Sequence, residues 1–167
     1  DTHTAHGMFE RLGAPTWFRI GDADLATHAH RAELLAGGAS LTDAVAGMAT
    51  ALSIGARILP ATDEPHRTMI ETDGGPIEFQ DYFVRLRQEP EVRGVSFEGE
   101  ARATDAVLAA IDGADLIVIG PSNPIVSIGP ILALPGIEET LQAADASVIS
   151  VSPIIAGRAL KGPADRM

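Results

Sequence analysis

The sequence holds 167 residues, 46% hydrophobic and 21% charged, a globular balance that excludes wholesale disorder or a collagen-like chain. Twelve basic against 23 acidic residues leave a formal net charge of −11, which argues against a nucleic-acid face and means that any phosphate-bearing ligand must be held by backbone dipoles and a few cations. With no cysteine, disulfides, zinc ribbons and thiol catalysis are excluded.

No stretch approaches the roughly 20 apolar residues of a membrane span. The opening Asp1-Thr2-His3-Thr4 lacks a basic segment followed by an apolar one, so a soluble cytoplasmic protein without a membrane partner is expected. The start without methionine and the turn-like ending Gly162-Pro163-Ala164-Asp165-Arg166-Met167 point to a longer open reading frame.

Along the chain, Asp22 or Asp24 can cap a helix running to about Leu35, with Leu25, His28, Ala29 and Ala32 at helical spacing and Gly37-Gly38 to end it. Ser40 is a good N-cap for a second helix, with Asp43 three residues on and Leu41, Val45, Met48, Ala49 and Leu52 as its apolar stripe. The two helices are expected to form a hairpin. Residues 56–60 read as a short strand closed by Pro60, and residues 69–72 with 76–79 read as a hairpin around Asp73-Gly74-Gly75, part of an antiparallel insertion. From Thr104 the pattern becomes helix (106–111), a continuous apolar strand (116–119), a glycine-proline loop, a helix to about Leu141 and a strand (147–151). That is a βαβ unit whose parallel strand is expected to be buried on both faces.

The segment Gly120-Pro121-Ser122-Asn123-Pro124-Ile125-Val126-Ser127-Ile128-Gly129-Pro130 leaves the apolar strand and enters a helix, the usual ligand position in open α/β sheets. Glycine permits close backbone approach, proline stiffens the turn, and Ser122, Asn123 and Ser127 bring polar groups beside a helix start that attracts anions. The same residues also serve as ordinary turn formers, and they match neither a Walker loop nor a dinucleotide fingerprint. In Trp17-Phe18-Arg19-Ile20-Gly21-Asp22-Ala23-Asp24-Leu25-Ala26-Thr27-His28 the aromatics could stack on a planar ring. Arg19 could pair with phosphate or a ring carbonyl, and Asp22 or Asp24 could accept from a hydroxyl; a capped helix with a core tryptophan is the plainer alternative. His28 and His30, two apart, do not form a zinc pair. Pro60-Ala61-Thr62-Asp63-Glu64-Pro65 carries paired acids that could orient a hydroxyl nucleophile or hold Mg²⁺, or form a plain acidic turn. Phe79-Gln80-Asp81-Tyr82-Phe83-Val84-Arg85 is accounted for by core packing plus a surface ion pair, and Lys161 by either a phosphate contact or the surface.

Taken in order, Gly21-Asp22-Ala23-Asp24-Leu25-Ala26-Thr27-His28 with Arg31, Leu59-Pro60-Ala61-Thr62-Asp63-Glu64-Pro65, Phe79-Gln80-Asp81-Tyr82, Val92-Arg93-Gly94-Val95, the segment from Gly120 to Pro130 and Val151-Ser152-Pro153-Ile154 resemble the 2-phospho-L-lactate transferase family of coenzyme F-420 biosynthesis. The resemblance implies a Rossmann-like α/β fold, a parallel sheet core with an inserted helical and antiparallel subdomain. Residues 1–167 would be part of one transferase domain, with the helical hairpin and inserted strands over about 17–103 and the βαβ part of the nucleotide-binding core over 104–167. It further implies a Mg²⁺-dependent, homodimeric enzyme that moves a phosphoenolpyruvyl or 2-phospholactyl group from a guanosine diphosphate-activated donor to the deazaflavin Fo, releasing GMP.

Carried over by position, the resemblance puts Arg19 on the deazaflavin, with Asp22, Asp24 and His28 lining the same region. Gly120, Pro121, Ser122, Asn123 and Pro124, with Ser127, face the nucleotide-phosphate donor. Thr62 and Asp63 sit near the join of the two substrates, Asp63 orienting the hydroxyl. Three departures stand out. Ala23 replaces a usual basic residue, Glu64 replaces the second acid of an Asp-Asp-Pro, and the family's N-terminal glycine-rich loop and metal-holding aspartates have no counterpart here. The metal ligands are therefore expected upstream, and the activity of these residues alone is in question. A rival reading is a non-catalytic nucleotide-sugar-binding regulator related to the gluconeogenesis and morphogenesis factors, which share the strand and Gly-Pro loop; residues 17–28 and Ser122-Asn123-Pro124 speak against it.

Overall fold

The computed structural model describes residues 2–159, which separate into two compact units divided between Ile58 and Leu59.

The first unit contains α1 (Thr4–Arg11), α2 (Asp22–Ala36) and α3 (Leu41–Ala51). The second and third pack as the expected hairpin, with Ala44 and Ala49 of α3 buried. Ser40 caps α3 as its sequence demands, its hydroxyl accepting from the Asp43 amide at 3.0 Å. The start of α2 differs from expectation, because Gly21 occupies the cap and Asp22 and Asp24 lie in the first turn, where negative charge suits the helix dipole. α1 carries no sequence signal of its own: His3 at its cap supplies no side-chain bond, and the missing acceptor comes from Asp22 instead.

The extended piece expected over residues 56–60 forms no strand, since no neighbouring strand takes up its backbone groups among the described residues. Beyond it, β1 (Arg67–Thr72), β2 (Gly75–Glu78) and β3 (Gly94–Glu98) form an antiparallel sheet in the order β2-β1-β3. The hairpin turns on Asp73-Gly74, with Thr72 opposite Gly75. β3 was not anticipated from sequence, and it completes the insertion by pairing along β1 from Arg67–Glu98 to Glu71–Gly94. Arg93 secures the turn: Nε and Nη2 donate to the two Asp73 oxygens at 2.9 Å each, and Nη1 donates to Glu91 at 2.9 Å. This pairing lowers the pKa of Asp73 and raises that of Arg93.

A π-helical turn (Asp81–Arg85) follows β2 and sends Tyr82 into a core with Ile70 and Val126, while Arg85 pairs with Asp81 on the surface, as the sequence suggested. A second core joins Ala101, Ala103, Leu134 and Ile137 and brings together α4 (Asp105–Asp112) and α6 (Ile137–Ala143). Between those helices run β4 (Leu116–Ile119), a π-helical turn (Pro124–Ile128) and the short α5 (Gly129–Leu132); β5 (Ser147–Ser150) then pairs with β4 in parallel. The single helix expected after the loop is thus three pieces, interrupted near Pro130 and Pro135-Gly136 where backbone donors or helical dihedrals are lost. The last described elements, β6 (Ile154–Ile155) and β7 (Arg158–Ala159), make a small hairpin.

The β4–β5 pair is not buried on both faces as its apolar run implied. Leu116, Val118 and Ile149 share one face and are 53%, 59% and 50% exposed. An unbroken apolar run reports what a strand could bury; whether it does depends on the layers above and below it, and among the described residues none covers this face.

Candidate functional site

In the second unit, Gly120 follows the last residue of β4, so residues 120–127 occupy the carboxyl end of the parallel pair. Asn123 organises this turn. Its Oδ1 accepts from the amides of Ile125 at 2.8 Å and Val126 at 3.1 Å, while its carbonyl accepts from Ser127 and Ile128. The helix-start amides expected to be open to an anion are therefore already bonded by the Asn123 side chain. Pro121 and Pro124 have no N–H to offer. The turn thus presents the exposed Gly120 and Ser127 and the half-buried Ser122. A Cβ added at Gly120 would meet no atom within 4 Å, so the space beside this backbone is open. Val126 anchors the segment in the Ile70–Tyr82 core, and His66 Nε2 donates to the Pro130 carbonyl at 2.9 Å. Asn123→Ala removes the acceptor of two amides and is expected to destabilise the protein by about 1 kcal/mol, with Asn123→Asp, also a strong cap, retaining most of the stability; urea unfolding of both variants measures it.

The loop of residues 60–65 belongs to the same unit. Thr62 Oγ1 donates to Glu64 Oε2 at 2.7 Å and accepts from the Glu64 amide at 3.1 Å, and the Arg102 amide adds a long bond to the same carboxylate oxygen. These contacts, the Thr62 hydroxyl first, lower the Glu64 pKa and hold it ionised. Glu64 is thus a structural member of the loop, and Asp63 lies exposed beside it. The Thr104 amide ties the loop to the start of α4 by donating to the Ala61 carbonyl at 3.2 Å. Next to this corner a cleft of about 700 Å³ is lined by His66, Phe97, Arg102, Asp105, Leu108 and Pro135. Sequence reasoning missed Arg102 and Gly99, whose partners lie far away along the chain and leave no local signature.

The first unit holds Arg19, Asp22, Asp24 and His28. Arg19 is exposed on the segment between α1 and α2, and no ion pair or hydrogen bond joins it among the described residues. Beside it Trp17 and Phe18, both exposed, meet edge to face with centroids 5.9 Å apart. Asp24 and His28, one helical turn apart, share a face of α2 with Arg31, whose Nη2 donates to His28 Nδ1. Asp22 is rotated away from that face by roughly 200° of helical turn. Its carboxylate accepts from Thr2 Oγ1 and from the amides of Thr4 and Ala5, both at 3.0 Å, and these bonds, led by Thr2, lower its pKa from 3.8 to about 2. Because the folded-state pKa is depressed, the stabilisation is present above about pH 4 and is lost as pH falls through about 2. Amide exchange of α1, followed by mass spectrometry from pH 5 down to pH 2 and corrected for intrinsic rate, is expected to show α1 loosening in that window.

The structure thus gathers Arg19, Asp24 and His28 with the aromatic pair in one unit. It places Thr62, Asp63, Gly120, Pro121, Ser122, Asn123, Pro124 and Ser127 in the other. Among the described residues no three His, Asp or Glu side chains gather to hold a cation by themselves, so an all-protein cation cage is not formed there. Lys161 lies outside the described residues. No helix among the described residues is long and apolar enough to cross a membrane.

Residues 5–167 match the family model described as 2-phospho-L-lactate transferase CofD. The sequence is 43% identical over 169 residues to the 2-phospho-L-lactate transferase of Methanosarcina mazei, covering 100% of this chain and 55% of that protein. It is 42% identical over 174 residues to the phosphoenolpyruvate transferase of Mycobacterium avium, covering 99% of this chain and 52% of that protein. The chain therefore spans about half the length of the curated relatives it matches. A crystal structure of a upf0052-family protein from Bacillus halodurans superposes with a TM-score of 0.63 at 22% identity, covering 73% of this chain and 40% of its own; it shares the α/β fold.

Proposed function

The chain belongs to the 2-phospho-L-lactate transferase CofD family, and from that premise we propose that it is part of a cytoplasmic transferase that moves a phosphoenolpyruvyl or 2-phospholactyl group from a guanosine diphosphate-activated donor to the deazaflavin Fo, releasing GMP. The observation that carries this reading is the continuous match over residues 5–167, with relatives about 42% identical along the whole chain.

In the reaction, the ribityl hydroxyl oxygen of Fo forms a bond to the phosphorus that bears the three-carbon acid, the bond from that phosphorus to the GMP oxygen breaks, and the hydroxyl proton leaves to a base. The protein has to align the nucleophile and meet developing negative charge. We assign the backbone at Gly120 and the Ser122 and Ser127 hydroxyls to the donor phosphates. The preformed Asn123 turn supports this, because a loop already ordered has less freedom to lose on binding. Asn123, Pro121 and Pro124 give the loop its shape. Arg19, with Asp24 and His28 on the neighbouring helix face, is assigned to the flat acceptor, a role suited to an exposed planar guanidinium, without a partner among the described residues, beside exposed aromatics. Asp63 receives or orients the hydroxyl proton, and Thr62 holds Glu64 so that Asp63 keeps its place. The described residues form no all-protein cation cage, and the roles assigned here are those of this chain's own side chains and backbone. Mg²⁺ enters the proposal only through ligands elsewhere in the polypeptide. A homodimer is part of the same proposal.

The test uses the intact polypeptide with Fo and, in separate reactions, guanylyl-activated phosphoenolpyruvate and phospholactate, following GMP by chromatography. Fo-dependent GMP release with either donor supports the assignment; no release with both, together with calorimetric binding of a uridine diphosphate sugar, overturns it in favour of a nucleotide-sugar regulator. Gly120→Ala refines it. With open space at its Cβ the variant should fold normally, while the donor KM rises about 10-fold as the methyl displaces the phosphates.

A further inference from the structure

We propose that Asp22 is a positioning residue: by capping α1 from the first turn of α2 it holds the intervening segment of residues 12–21, and Arg19 with it, and it does not itself touch substrate. The link to the acceptor rests on the assignment of Arg19 above; the latch itself does not.

Four hydrogen bonds tie residue 22 to the beginning of the described chain. The Asp22 carboxylate accepts from Thr2 Oγ1, Thr4 N and Ala5 N, and the Asp22 amide donates to the Thr2 carbonyl at 2.8 Å. An α-helix begins with amides that lack intrahelical acceptors, and His3 provides none from its side chain. Asp22 therefore does for α1, across 17 and 18 positions of chain, what a local Ser or Asp does for most helices. Its own backbone is fixed by α2, where Leu25 N donates to the Gly21 carbonyl at 2.9 Å. At the other end of α1, Gly13 N and Ala14 N close the helix onto the Glu10 and Phe9 carbonyls at 3.1 and 3.0 Å.

The result is a closed loop. Residues 12–21 leave one helix end and enter another, and the bonds at Asp22 set the spacing of the two helices. Trp17, Phe18 and Arg19 lie within that loop, exposed and without a core of their own. Loss of the latch frees the α1 end, while the other stays on α2, and so widens the range of positions open to the Arg19 guanidinium. With its oxygens engaged by α1, and with its position rotated away from Asp24 and His28, the Asp22 carboxylate is poorly placed to accept from a ligand on that face.

The experiment uses Asp22→Ala, Asp22→Asn and Thr2→Val in the intact polypeptide, with two readouts. In hydrogen exchange, Asp22→Ala is expected to speed the Thr4 and Ala5 amides about 5-fold and to raise exchange across residues 12–20, with residues 26–34 of α2 unchanged. Asp22→Asn, which still accepts from one amide, recovers part of the protection. Thr2→Val, which keeps the carboxylate and should fold even if Asp22→Ala does not, gives a smaller change in the same direction. In steady-state kinetics the KM for Fo rises about 5-fold while kcat at saturating Fo stays within about 2-fold, since lost positioning acts on binding. Unchanged exchange over residues 3–20 in every variant that folds overturns the latch. A fall in kcat without a rise in KM overturns the positioning role and returns Asp22 to the reaction. If the wild type neither binds nor converts Fo, the functional assignment fails, and the exchange data still decide whether Asp22 holds the loop.

Discussion

Asp63→Asn in the intact polypeptide is expected, on the proposed transferase reading, to lower kcat by about 10²-fold or more while the KM for Fo moves by no more than about 2-fold. The two adjacent carboxylates have unlike surroundings. Glu64 is bonded by the Thr62 hydroxyl and the Arg102 amide, which keep it ionised and turned into its own loop. The next residue back, Asp63, lies exposed at the corner where Thr104 fastens the loop to α4. A carboxylate held on a fastened loop can orient a hydroxyl and take its proton; the amide of asparagine keeps the shape and loses the basicity. Glu64→Gln should act differently, weakening the loop and reducing stability and turnover together. A kcat for Asp63→Asn within about 3-fold of wild type would remove Asp63 from the mechanism.

Gly99→Ala is expected to destabilise the second unit by about 3 kcal/mol and to carry the loop of residues 60–65 with it. Gly99 has φ +121°, where residues with a side chain are strained, and an added Cβ would lie 2.2 Å from the Pro65 carbonyl oxygen. That oxygen belongs to backbone that cannot swing aside as a flexible side chain would. Relief requires moving Pro65, and with it the stretch that includes Thr62, Asp63 and Glu64. Gly55→Ala is the natural control, because nothing lies within 4 Å of its added Cβ and its φ is not positive. Urea unfolding of the two variants should differ by most of that penalty, and equal midpoints would show that the close approach at Pro65 relaxes without cost.

Much of the fold is legible in the residues because their signals are local. Ser40 and Asp43 announce α3, Thr104 announces α4, Asp73-Gly74 announces the hairpin, and the pairing of β4 with β5 follows from two apolar runs separated by a helical crossover. What escapes is whatever depends on distant partners. α1 begins at residues with no capping signal because its cap is Asp22, and β3 is recognisable only once β1 is present to pair with it. The strand expected over residues 56–60 failed for the converse reason, a plausible extended sequence without a neighbour. The candidate site divides along the same line. The turn at Gly120 is visible from its glycine, prolines and asparagine, and the bonding of its first amides by Asn123 is a local cap of the same kind, whereas the seating of Val126 on Ile70 and Tyr82 depends on distant partners. Glu64 is held mainly by its near neighbour Thr62, and the added bond from the Arg102 amide, 38 positions further on, has no local signature.

The His66–Pro130 bond spans 64 positions, and the Val126 side chain rests on Ile70 and Tyr82, which come from the antiparallel insertion. The turn after β4 therefore cannot mature by itself during synthesis or refolding. Asn123 can draw its neighbours into shape at once, but the finished geometry has to wait for a sheet built from residues 67–98 to present its apolar side. Contacts between such remote parts of a chain form late and slowly, because entropy is lost before contact energy is gained. Mutations that slow pairing of β1 with β3 should thus delay recovery of ligand affinity on refolding even where they lie far from any ligand.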